Sequence, residues 1–157
     1  MAISLYDVSV ASFLQTLGGV AGFLERGLAH CQDNNIDPQE IVQARMCPDM
    51  LDFRFQIISV AHHSLGAIEG VKAGVFSPGG DQNAKDYASL QKLINDAIAS
   101  LKALTPEEIN ALEGRDMFFA FGERTNVPVA LQPAASCTVQ VTPPDAVIRV
   151  DGRDVGR

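Results

Sequence analysis

The sequence predicts an all-α fold, an up-and-down helical bundle, with a small β hairpin and an atypical, non-helical C-terminal tail. Between residues 5 and 101, three long segments carry apolar residues at steps of three and four, which is the spacing of one helix face. After Asp116 this periodicity stops, and four prolines forbid a long helix up to Asp145: Pro128, Pro133, Pro143 and Pro144. We therefore place the bundle in residues 1–124 and a Pro-rich, strand-patterned tail in residues 125–157.

The first predicted helix covers residues 5–30. Its apolar stripe consists of Leu14, Leu17, Ala21, Leu24 and Leu28. Beyond it, Asp37 can cap a helix and Pro38 suits a first helical position, which predicts a short helix to about Ala44. Pro48 then ends this short helix.

The second long helix, over residues 51–72, is apolar on most sides and is therefore predicted to be central. A third helix with a narrow apolar stripe follows at residues 87–101. Thr105 as cap and Pro106 at the first position predict another short helix. The stretch MFFAFGERTNVPVAL, residues 117–131, has the pattern of a β hairpin.

Composition narrows the classes of partner. Nineteen acidic and twelve basic residues give a formal net charge of -7, and no cluster of Lys or Arg could neutralise phosphates. No run approaches the roughly 20 apolar residues that span a bilayer, and the N-terminus lacks a signal pattern. We therefore expect a cytoplasmic protein that binds neither nucleic acid nor membrane.

The cysteines carry little information about function. There are three, without C-x-x-C spacing, so neither a disulfide framework nor a structural zinc site is predicted. Cys47, next to Pro48, would be a reactive thiol if it met a helix N-terminus or a cation such as Arg45. A plain buried cysteine is the favoured interpretation.

The stretch VAHHSLGAIEG places two adjacent histidines in the central helix. At about 100° per residue, His63 shares a polar stripe with Gln56, and Ser59 lies beside it. His62 lies nearer the apolar face and is predicted to be a packed histidine with one hydrogen bond. For His63, the spacing leaves two alternatives, an interior cavity or the solvated side of the helix, and it favours the solvated side.

A metal site finds little support in the residues alone. A catalytic zinc needs about three protein ligands, and no histidine follows His63 in the chain. His30, Asp49 or Glu69 would have to complete the site, and their spacing does not recommend them. The residues by themselves therefore do not support enzyme activity.

Three stretches, SLYDVSVASFLQTL, ARMCPDMLDFRFQI and AHHSLG, resemble an uncharacterised subfamily of the DinB/YfiT-like superfamily of four-helix bundles, over about residues 4–124. The resemblance places Gln56 and His63 on the glutamine and histidine of the family's second helix, with Arg45 and Asp49 in the turn before it. It implies that His63 faces an interior cavity, where it could bind a divalent metal, Zn, Ni or Fe.

The tail departs from this resemblance. In the subfamily the fourth helix carries a second histidine, and here Gln140 stands at about that place. The segment CTVQVTPPDAVIRVDGRDVGR also resembles a PEGA-type β-repeat, and the alternation at residues 138–141 and 147–150 favours strands over residues 137–151. Either the bundle is altered at its end or a foreign tail replaces the last helix.

Two functions follow as expectations. The first is a DinB-like ligand-binding or stress-associated protein with a degenerate metal site and no catalysis, whose ligand, a small molecule, would be lined by Gln56, Ser59, His63, Arg45 and Asp49. The second is a divalent-metal-dependent enzyme of the thiol-transferase type that uses His63. A missing fourth helix would leave an apolar flank open, so we also expect a homo-oligomer, most simply a homodimer.

Overall fold

The computed structural model describes residues 3–80, 82–120, 126–130, 148–150 and 153–156. The helical elements, in chain order, are a first π-helical segment (Asp7–Ala11), α1 (Ser12–Asn34), α2 (Pro38–Gln43), α3 (Phe53–Ala61), a second π-helical segment (His62–Gly66), α4 (Ala67–Ala73), α5 (Tyr87–Lys102) and α6 (Pro106–Asn110). The strands are β1 (Val75–Phe76), β2 (Asp116–Ala120), β3 (Asn126–Ala130), β4 (Ile148–Val150) and β5 (Arg153–Gly156). The predicted fold class, a helical protein with a small hairpin, is confirmed.

The core is densest between α1 and α5. Leu17 and Leu24 of α1 and Leu90 and Ile94 of α5 are 0% exposed. The hydroxyl of Tyr87, at the start of α5, donates a hydrogen bond of 2.8 Å to the carbonyl of Leu24 in the second half of α1. The two helices therefore run antiparallel, and each buries the stripe that its spacing predicts.

Side-chain caps define the helix starts, as the sequence predicts. Asp37 accepts a hydrogen bond of 2.9 Å from the backbone N–H of Gln39 at the start of α2. Thr105 accepts one of 3.2 Å from the N–H of Glu108 at the start of α6. Each cap satisfies a backbone donor that the first helical turn leaves without an intrahelical partner.

The predicted central helix is a continuous helical stretch with an irregular middle. Asp52 caps it by accepting a hydrogen bond of 2.8 Å from the N–H of Phe55, and Gly74, at φ 78°, ends it in the left-handed conformation. Between α3 and α4 lies the second π-helical segment, which begins at the histidine pair. The prediction of a helix over residues 51–72 is confirmed, but the π-helical segment was not predicted, because apolar spacing does not report a single widened turn.

The connection from α4 to α5 runs back along the central helix. At one end, Lys72 forms an ion pair of 2.5 Å with Glu108, beyond the end of α5. At the other end, the guanidinium Nε of Arg54, in α3, donates a hydrogen bond of 2.7 Å to the carbonyl of Ala84, just before α5. The central helix and α5 therefore run in the same direction, opposite to α1, and residues 74–86 form the return.

A three-stranded sheet lies beside the return segment. The strand order is β1-β2-β3, with β1 parallel to β2 and β2 antiparallel to β3. The β2-β3 pair confirms the predicted hairpin. β1 was not predicted, because two residues are too few for an alternating pattern.

The described part of the tail is extended. β4 and β5 pair antiparallel, and β4 falls within the predicted strand at residues 147–150. The other predicted strand, at residues 138–141, lies outside the described residues, as do Cys137 and Gln140.

Residues 7–34 form one helix of 28 residues that is long and apolar enough to cross a membrane, judged by length and composition. The sequence prediction excluded such a segment because no uninterrupted run approaches roughly 20 apolar residues, whereas this criterion averages over the helix. Core helices of soluble proteins satisfy the same criterion, and here Leu17, Val20 and Leu24 are buried. The expectation that the protein binds no membrane stays a prediction.

The interpretation of Cys47 as a buried cysteine is wrong. Its side chain is exposed, because it lies in the irregular turn between α2 and α3 and not on a packed helix face. Cys31, near the end of α1, is the buried one.

Candidate ligand-binding site

The two histidines lie where the central helix widens. His62 and His63 are the first two residues of the second π-helical segment. In such a segment the backbone hydrogen bonds reach from residue i to i+5, and single π-helical turns within α-helices occur frequently at functional sites. This makes the surroundings of the pair the first place to look for a binding site.

His62 is held in one orientation from two sides. Its Nε2 lies 2.8 Å from the carbonyl oxygen of Ser77 in the return segment, and its half-buried ring stacks on Phe76 at a centroid distance of 4.7 Å. A carbonyl can only accept, so we assign the proton to Nε2, which leaves Nδ1 of the neutral ring as an acceptor. The prediction of a packed histidine with one hydrogen bond is confirmed.

Gly66 leaves room for that acceptor. It lies one turn after His62, and a Cβ at this position would stand 3.0 Å from the Nδ1 atom of His62. Any side chain at residue 66 would therefore crowd the imidazole nitrogen or displace the ring.

His63 has the opposite tautomer. Its Nδ1 lies 2.8 Å from the carbonyl oxygen of Ser59, one turn earlier, so Nδ1 donates and Nε2 of the neutral ring is the acceptor. The side chain is exposed. This agrees with the solvated side that the spacing favours and differs from the interior position that the resemblance implies.

Aromatic rings connect the histidine pair to the sheet. Phe76 of β1 lies 5.8 Å from the ring of His63 and 6.1 Å from the ring of Phe119, its partner in β2. β1 approaches the helix closely at Gly70, where a Cβ would stand 2.9 Å from the Cβ of Phe76. Sequence reasoning missed Phe76 and Phe119, and this glycine in an apolar helix was the available signal of a close neighbour.

A groove runs along the other side of His62, between the central helix and α5. Its volume is about 170 Å³. Its apolar surface is formed by Ile58, Ala61, Leu65, Leu93 and Ala97, and Gly66 completes the wall. The polar side chains that line it are His62, Glu69 and Asp96, and none of its lining residues is Lys or Arg. An apolar cleft lined by a few polar side chains is a usual form of a small-molecule site.

The five predicted site residues occupy two neighbouring regions. Arg45 and Gln56 line a separate, mostly apolar cavity of about 170 Å³ beside the turn between α2 and α3. Ser59 and His63 lie further along the helix, in contact with each other, and Asp49 is exposed in the turn. The structure therefore does not gather the five into one pocket.

The described residues do not fit a divalent metal. Among them, no three or more His, Cys, Asp or Glu side chains are grouped so that they could share one ion. His30, considered as a co-ligand, is exposed and its Nδ1 lies 3.1 Å from the side-chain nitrogen of Asn34. In this part of the chain, His63 has no group of co-ligands around it.

Comparison with known proteins gives one match. The model of the family described as Domain of unknown function (DUF1993) matches residues 5–143. The matched region includes the pair His62 and His63, all six α-helices and the β hairpin, and it extends beyond residue 124, where the resemblance seen in the sequence ends. No curated protein and no solved structure matches the chain.

Proposed function

The chain belongs to this family of unknown function, and from that premise we propose that it is a DinB-like ligand-binding protein without catalysis of its own. The ligand would occupy the groove between the central helix and α5. DinB-like architecture is supported by the long helices and by the sequence stretches that carry the resemblance. The cytoplasmic location and a role in stress stay predictions.

One observation carries the proposal: a fixed acceptor stands at the wall of an apolar groove. The hydrogen bond to Ser77 and the stack on Phe76 hold the His62 ring in place, so Nδ1 needs little reorganisation to bind a donor. Gly66, which also lines the groove, places no side chain beside this nitrogen.

The test is a fragment screen read by amide NMR shifts on the full chain. We expect saturable shifts for residues 58–69 and 93–97, and we expect Gly66→Ala to weaken binding strongly because its Cβ meets the imidazole. Gly19→Ala is the matched control, since a Cβ there meets nothing within 4 Å. Fragments that never shift these residues, or that bind the Gly66→Ala protein equally well, would overturn the proposal.

A second candidate is a divalent-metal-dependent enzyme of the thiol-transferase type, and the exposed acceptor Nε2 of His63 favours it. Co-ligands would have to come from residues outside the described part of the chain. Metal analysis of protein purified without chelator or affinity histidines separates the two candidates. A stoichiometric metal that disappears in His63→Ala would support the enzyme, and metal-free protein with unchanged fold would support the binding protein.

Self-association is a further proposal carried from the sequence. Eight large apolar side chains are exposed in the described part: Ile3, Val8, Phe23, Met46, Leu51, Phe55, Val75 and Phe118. Light scattering at micromolar concentration should show a homodimer or larger assembly. A monomer that binds no hydrophobic dye would contradict it.

A further inference from the structure

We infer that the groove beside His62 takes a small organic cation, a primary amine with a short apolar body. This inference rests on the proposed function, because it assigns a ligand class to the same groove.

The side chains that line the groove offer acceptors and no permanent cation. Glu69 and Asp96 contribute carboxylates from the two helices that form its walls, and His62 contributes the Nδ1 acceptor. These three side chains are not grouped closely enough to share one ion, so an ammonium group, which donates hydrogen bonds and accepts none, would pair with one of these acceptors and leave its other N–H groups in water. A carboxylate or phosphate would meet two like charges, and the formal net charge of -7 adds to that repulsion.

Lys92 already demonstrates the contact that a ligand would make. Its Nζ lies 2.5 Å from the carboxylate of Asp96, one turn further along α5. The two side chains are 74% and 62% exposed, and ion pairs of this kind contribute little free energy. A ligand amine can therefore take the place of Lys92 at small cost, and Lys92 acts as a weak internal competitor.

The rest of the groove selects for an apolar body next to the charge. Ile58, Leu65 and Leu93 are the large apolar side chains that line it. With about 170 Å³ available, a single ring or a short alkyl chain fits, whereas a larger molecule would extend into solvent. Burial of these carbons adds affinity in proportion to the apolar area removed from water.

The test compares three probes of nearly the same shape on the full chain: benzylammonium, benzyl alcohol and benzoate. Titrations followed by amide NMR should give benzylammonium the tightest binding, by about tenfold over benzyl alcohol, with benzoate weakest. Asp96→Asn and Glu69→Gln should each weaken benzylammonium binding by about two- to fivefold, the range of an exposed ion pair. Lys92→Gln should strengthen it, because the competing ammonium is removed.

Glu107→Gln is the matched control, since it removes the same charge from an exposed position in α6, outside the groove. It should leave binding of benzylammonium unchanged. If benzyl alcohol and benzoate bind the groove as tightly as benzylammonium, the cation inference is wrong and the ligand-binding proposal stands. If the two carboxylate variants weaken binding no more than Glu107→Gln does, the inference is also overturned. Failure of the fragment screen described above would instead count against the proposed function itself.

Discussion

The α1-α5 interface and the histidine side of the central helix are held together in different ways. Between α1 and α5, leucine and isoleucine side chains are excluded from water along the whole contact. On the histidine side, a hydrogen bond from His62 to Ser77, a ring stack and a two-residue strand attach the return segment. The first interface therefore depends on buried apolar area, and the second on a few directional contacts.

This difference separates stability from function. Buried apolar contacts dominate the folding free energy and leave no groups available for a ligand. Directional contacts contribute about 1 kcal/mol each, but they fix polar atoms in space. The groove lies beside the directional contacts around His62. Substitutions in the α1-α5 interface should therefore lower the free energy of unfolding more than substitutions around the groove.

Substitution in the α1-α5 interface should cause the largest loss of folding stability. Leu90→Ala removes a side chain that is 0% exposed, and such truncations cost about 2–5 kcal/mol through lost burial and the cavity left behind. Chemical denaturation followed by circular dichroism measures the loss. Leu93→Ala, on the half-buried groove side of the same helix, is the control and should cost less. Equal losses would mean that the two regions do not differ as described.

The closeness of this interface can be tested by adding one methyl group. A Cβ at Gly27 would stand 2.4 Å from the hydroxyl oxygen of Tyr87, so Gly27→Ala should cost about 1–3 kcal/mol. At Gly19 the same change meets nothing within 4 Å and should stabilise the helix by about 0.5–1 kcal/mol. The opposite signs should appear in the denaturant midpoints, and a stabilised Gly27→Ala protein would contradict the close packing.

The two histidines should differ in the same experiment. His62→Ala loses the hydrogen bond to Ser77 and the stack on Phe76, at a cost of about 1–2 kcal/mol. His63→Ala removes an exposed ring whose hydrogen bond stays within its own helix, so the cost should be smaller. Equal or reversed losses would refute the orientation of the pair.

The smallest expected effect is a pH dependence of folding stability that comes from Tyr87 in the α1-α5 interface. Burial, and next the neighbouring Cys31, raise the pKa of Tyr87 above its usual value of 10.0. The folded state therefore holds this proton more tightly, and its stabilisation is complete below pH 10 and is lost as pH rises through the higher folded pKa. Tyr87→Phe should lack this alkaline decrease in the melting temperature, and an identical decrease in both proteins would assign it to other groups.

Local signals predicted the regular elements well. Asp37 and Thr105 cap the helices that their positions predict, because a cap depends on residues three or fewer positions away. The first helix continues to Asn34, beyond the predicted end at residue 30, because Asn35 provides the left-handed residue that ends it. Asn35 was not recognised in the sequence as this signal.

The groove could not be predicted from the sequence, because residues from separate elements form it. Spacing on one helix identified His62 as packed, but it could not show that Ser77 and Phe76 fold back against it or that Asp96 stands opposite. Those contacts depend on the return segment and on the shared direction of the central helix and α5. The predicted set around Gln56 and His63 followed one helix face only, and so it missed the residues that other elements contribute.

The π-helical segment at His62–Gly66 has a consequence for comparing this chain with its relatives. A widened turn is the form in which a helix accommodates one additional residue while the helix on either side continues. A relative that lacks one residue here would have a regular helix, and the residues before and after this turn would face the same neighbours as their counterparts in this chain. An alignment of such sequences should therefore place its gap inside the helix, between Ala61 and Ala67, because a gap moved to the following loop would pair each residue of α4 with the wrong neighbour.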